Sequence, residues 1–169
     1  MAALLRAIRI CLSISLCGSP ACHRGQSAMS HEPESSTPSR SIPNFRKIVS
    51  LPAEPDEVWF EQVPRGTPGG LGPTDYFLVA VMRFSPGALA TVLKNGTRTG
   101  DKSPGILPAA NRAWFPTPVK AAVRSVDAQN VSFRGEEFDG APFASGAFSS
   151  GSFIVIAGGE YVLLVLTTS

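Results

Sequence analysis

Histidine and cysteine are the side chains that most readily supply a base near neutral pH, a thiolate nucleophile or a soft metal ligand. The 169-residue chain has two His and three Cys. They are Cys11, Cys17, Cys22, His23 and His31, so none lies at Phe45 or beyond. A domain built from Phe45 onward therefore has no Ser-His-Asp or Cys-His nucleophilic machinery. It also lacks zinc ligands of the His/Cys kind, common haem and iron–sulfur ligation, and a disulfide of its own. This reading assigns the chain no metal, no cofactor and no catalytic residue.

Carboxylates are the next source of chemistry. Glu136, Glu137 and Asp139 cluster in Arg134-Gly135-Glu136-Glu137-Phe138-Asp139-Gly140. Acid–base work needs two carboxyls converging across a cleft. Adjacent Glu136 and Glu137 point opposite ways on a strand, so they are not that pair by themselves. The cluster also lacks the oxygen spacing of an EF-hand loop and reads as a solvated turn. The segment Gly66-Thr67-Pro68-Gly69-Gly70-Leu71-Gly72 invites comparison with a phosphate loop. It has neither the Lys-Ser/Thr pair nor a following helix, and reads as an inter-strand loop. The best candidate binding residues are Arg112, Trp114 and Phe115, because aromatics beside an Arg are common interface anchors when exposed. The alternative is that Trp114 and Phe115 pack beneath the helix that follows them.

The ends of the chain point to a compartment. Arg6 and Arg9 precede the apolar stretch Ile10–Cys17, and Ser19-Pro20-Ala21 supplies small residues, so residues 1–22 read as a secretory signal. The apolar stretch is far shorter than the roughly 20 residues of a spanning helix. Cleavage after Ala21 would leave Cys22 first, which resembles a bacterial lipoprotein signal and makes Cys22 a lipidation candidate. Ser19 stands where such signals usually carry Leu. Cys17 is a poorer lipidation choice because bulky Leu16 precedes it, and a start at Met29 remains an alternative. Residues 23–44, rich in Ser, Pro and charge, read as a disordered linker.

Net charge is +2, but three of the 15 basic residues precede Met29, where there is no Asp or Glu. From Phe45 onward, 11 basic residues face 11 acidic ones. That balance, without a Lys/Arg cluster, argues against nucleic acid as a partner.

Residues 45–169 read as a single small α+β domain, mostly antiparallel sheet, with two short helices and a C-terminal β-hairpin. Arg46–Leu51 and Val58–Val63 are the first strand candidates. Tyr76–Met82 is continuously apolar and suits a strand covered on both faces. Ser85 followed by Pro86 starts a helix to Lys94, and Asn95-Gly96 suggests a left-handed cap. A second helix is expected from Thr117 or Pro118 to about Ser125, then a strand over Val131–Arg134 with alternating faces. Residues 143–152 read as a loop covering the core. Phe153–Ile156 and Tyr161–Leu166 flank Gly158-Gly159, a hairpin signal. Tyr161–Leu166 is expected beside Tyr76–Met82 at the centre of the sheet.

The expected function is that of a small non-catalytic protein, secreted or anchored to the cell envelope, that binds a protein or envelope component. One alternative is a carboxylate/Arg-dependent enzyme using Glu136, Glu137, Asp139, Asp75, Arg65 and Arg112. The other is a cytosolic interaction module beginning at Met29.

Overall fold

A computed structural model describes residues 37–65, 75–99 and 104–168. The fold is a small single-domain α+β fold built on antiparallel sheets, and its last two strands form a hairpin. In chain order the elements are α1 (Ile42–Arg46), β1 (Glu57–Arg65), β2 (Asp75–Arg83), α2 (Pro86–Asn95), β3 (Gly105–Ile106), α3 (Thr117–Ala121), β4 (Val123–Val126), β5 (Val131–Phe133), β6 (Gly135–Asp139), β7 (Phe148–Ile156) and β8 (Tyr161–Thr168). Short 3₁₀ turns cover Pro108–Ala110 and Ala141–Phe143. A five-stranded sheet runs β1-β2-β8-β7-β6, and a three-stranded sheet runs β3-β5-β4.

The two continuously apolar segments, β2 and β8, are neighbours, with Leu78 opposite Leu166 and Val81 opposite Leu163. Successive side chains on a strand face opposite ways, so an unbroken apolar run must feed two cores. Leu78, Ala80, Met82, Val162, Leu164 and Leu166 share one core with Phe45 of α1 and with Leu89 and Val92 of α2. Phe77, Val79, Val81 and Leu163 share the other with Ile106, Val119, Val131 and Phe133. Helices thus cover one face of the large sheet, while α3 and the small sheet cover the other.

Several elements differ from their sequence expectation. Arg46–Leu51 is not a strand. The Ser41 side chain accepts from the Asn44 N–H, Pro43 stands in the first turn, and the chain forms α1 followed by a turn. Ile42, Phe45, Ile48 and Val49 recur at helical spacing and pack toward the first core. This adds a third helix to the two expected. Ordered pairing also begins ahead of Phe45, inside the segment read as linker, because Ser39 exchanges both backbone hydrogen bonds with Phe60.

Helix α2 starts at the expected Ser85–Pro86 signal, but Gly96 is extended, with φ −93°, not left-handed. Helix α3 stops at Ala121, and its N-cap position is Pro116. The chain then straightens into β4, where Val123 and Val126 pair with β5. All three residues of β5 are buried, because Ser132 satisfies its hydroxyl on Ser125 Oγ at 2.6 Å. The acidic cluster is strand β6, not a turn, and β7 begins at Phe148 inside the expected covering loop.

The hairpin turn does use glycines with positive φ, 112° at Gly158 and 76° at Gly159. Gly151 is a second demanding position. Its φ is +147°, and a Cβ there would sit 2.1 Å from the Val165 carbonyl oxygen.

Two outcomes follow for urea denaturation. Leu163→Ala and Leu164→Ala, each in a different core, should each cost about 2–5 kcal/mol. Gly151→Ala should cost about 1–3 kcal/mol although it adds only a methyl group, because the contact is with backbone and the conformation is strained.

Candidate functional site

The segment 111–116 connects the Pro108–Ala110 turn to α3, and lies against the second core. Phe115 and Arg112 are both about 2% exposed. Trp114 is half-buried, meets Phe115 edge-on at 5.0 Å, and donates its Nε1–H to Glu61 Oε2 at 2.9 Å. Arg112 Nε lies 3.3 Å from the same Glu61 oxygen, and Arg112 Nη1 donates to the Asn111 carbonyl at 3.1 Å.

Glu61 is placed for this by the alternation of β1. It shares a face with Trp59 and Val63, both members of the second core. A carboxylate on an otherwise apolar face needs a cation or donors to offset its desolvation. Arg112 and Trp114 supply both. The three candidate binding residues are therefore corrected as a surface: Arg112 and Phe115 face inward, and Trp114 spends its polar edge on Glu61. Together they fasten the segment before α3 to strand β1.

The proposed carboxylate/Arg constellation is dispersed in the same way. Glu136 lies 3.7 Å from Arg98, Asp139 Oδ1 accepts from the Ala141 N–H, and Asp75 accepts from the Thr168 hydroxyl at 3.4 Å. Arg65 lies over the ring of Phe77 at 5.3 Å, and Arg40 over Trp59 at 5.4 Å. Glu57 opposes Arg83 across β1 and β2. Its hydrogen bond and its charge hold the Arg83 guanidinium above the ordinary arginine value. Arg46 and Glu54 form a further surface pair. No group of three His, Cys, Asp or Glu among the described residues is arranged to hold a metal ion. The glycine-rich segment 66–72, Cys22 and both His lie outside the described residues.

A residue that the sequence did not single out is Arg134. It stands where the chain leaves β5 for β6, and so passes from the small sheet to the large one. It lines a depression of about 440 Å³ with Pro118, Ala121, Ala122, Ala157 and Gly158. Nothing near it in sequence marks the position, because Ala121 and Ala157 reach it only through folding.

Compared with known proteins, the chain matches no family model, no curated protein and no solved structure.

The Glu61 cluster makes a graded prediction. Arg112→Ala removes a buried cation and its packing, and should cost about 3–5 kcal/mol in chemical denaturation. Trp114→Phe, which removes one donor and keeps most of the ring, should cost about 1 kcal/mol.

Proposed function

We propose that the chain is a small, non-catalytic binding protein of the cell envelope or the secreted space, contacting a protein or an envelope component. The observation that carries this reading is the use to which the domain puts its charged groups. Glu61 and Arg112 fasten a segment to the sheet, Asp139 anchors a turn, and Glu57, Glu54 and Glu136 pair with arginines. Groups committed to architecture in this way are not convergent on a reacting centre.

The delivery half of the reading rests on the sequence of residues 1–22. A positive start, a short apolar stretch and small residues before Cys22 together suit export. Lipidation of Cys22 would place a membrane anchor at the start of the mature chain. No helix among the described residues is long and apolar enough to cross a membrane.

Intact-mass analysis of the protein purified from its native cells tests this directly. The expected product begins at Cys22, with or without the added mass of acyl chains. A product beginning at Met29 would overturn the envelope reading and leave the cytosolic interaction module.

A further inference from the structure

We propose that the depression beside Arg134 is a binding site for a small carboxylate with a short apolar body. The proposal rests on the binding-protein reading above and supplies the chemistry of one ligand. Arg134 is held by three hydrogen bonds from different parts of the fold. Its backbone N–H donates to the Ala122 carbonyl at 2.7 Å, and its carbonyl accepts from the Ala157 N–H at 2.9 Å. Its Nη2 donates to the Ala121 carbonyl at 2.6 Å, at the end of α3.

That last contact satisfies a helix-terminal carbonyl and tethers one edge of the guanidinium. One nitrogen of the fork is spent, and this is the one side-chain hydrogen bond of Arg134 among the described residues. No carboxylate among the described residues lies within 4.0 Å of Arg134. Most other arginines of the domain have an acidic partner or an aromatic ring. An oriented guanidinium without a counter-ion suits a planar anion, which can take two of its N–H groups at once.

The surroundings favour the same ligand. Pro118, Ala121, Ala122 and Ala157 offer only short side chains to the rest of the ligand, and the depression is of the size that small-molecule sites have. Because the arginine is oriented before binding, little ordering entropy remains to oppose it.

Titration of the full-length protein with benzoate, followed by backbone amide NMR, tests the proposal. Benzamide, its neutral analogue of similar shape, serves as the control. Saturable shifts confined to Ala121, Ala122, Arg134, Ala157 and Gly158 are expected with benzoate, and affinity about tenfold weaker with benzamide. Arg134→Lys keeps the charge, loses the fork and should weaken benzoate about tenfold. Because Arg134 also satisfies α3, Ala157→Leu is the second variant; it fills the depression from the hairpin side and should abolish the shifts while the rest of the spectrum is unchanged. Shifts that do not saturate, that benzamide reproduces, or that survive Ala157→Leu would overturn the site. None of these results depends on the first 22 residues, so a failure here leaves the envelope reading to be decided by the intact mass.

Discussion

Strands β2 and β8 are buried on both faces, and this fixes what the remainder of the chain must do. A sheet with one wet face announces its register, since a slip by one residue turns its apolar side chains out to water. Here a slip would exchange one core for the other. Leu163 and Leu164 are both fully buried, on opposite faces, and hydrophobicity alone does not distinguish them. Register must come from features that are not apolar. The tight turn at Gly158-Gly159 fixes where β7 meets β8. The irregularity between Phe148 and Ser150, followed by the close approach of Gly151 to the Val165 carbonyl, fixes it again at the far end.

Two buried faces require two coverings, and the chain builds them differently. The α1 and α2 side is supplied by local helices with their own start signals at Ser41 and Ser85. The other side is supplied by short strands and a five-residue helix that are too small to be stable alone. That layer is fastened by polar contacts where its packing is thin: Arg112 and Trp114 on Glu61, the Ser125–Ser132 hydroxyl pair, and Arg134 on Ala121. The edges of the large sheet are managed as well. Ser39 pairs with Phe60 on β1, and Pro64, facing the same way four residues on, has no N–H to offer. On the opposite edge, Thr97 and Thr99 bond to β6.

These two kinds of covering explain what could be read in advance. The central strands, α2 and the hairpin were legible because each carries a strong local signal: an unbroken β-rich run, Ser-Pro, or Gly-Gly. The small layer was legible only in part: the helix start at Thr117 and the strand over Val131–Phe133 carry local signals, while β3 and β4 do not, because their conformation is decided by tertiary contact. Val123–Val126 continues a helical pattern in sequence, yet pairs with β5 once Val131 and Phe133 are docked on the large sheet. The same reason misplaced the candidate site. Arg112-Ala113-Trp114-Phe115 has the composition of an exposed anchor, and only the presence of Glu61, 53 residues from Trp114 in sequence, turns it inward. Conversely, Arg134 looked like the end of an ordinary strand.

The difference between the two arginines is instructive about where function can reside. Arg112 is buried beside a carboxylate that shares its burial, so its charge is compensated within the fold. Arg134 is exposed, and its guanidinium donates to the Ala121 carbonyl, a partner that holds it without neutralising it. A protein that commits its acids to fastening segments and capping turns leaves such cations as its unspent chemistry. Arg134 stands where the small layer joins the large sheet, a junction the architecture needs in any case. Binding there adds a role to residues already required to hold the second covering in place.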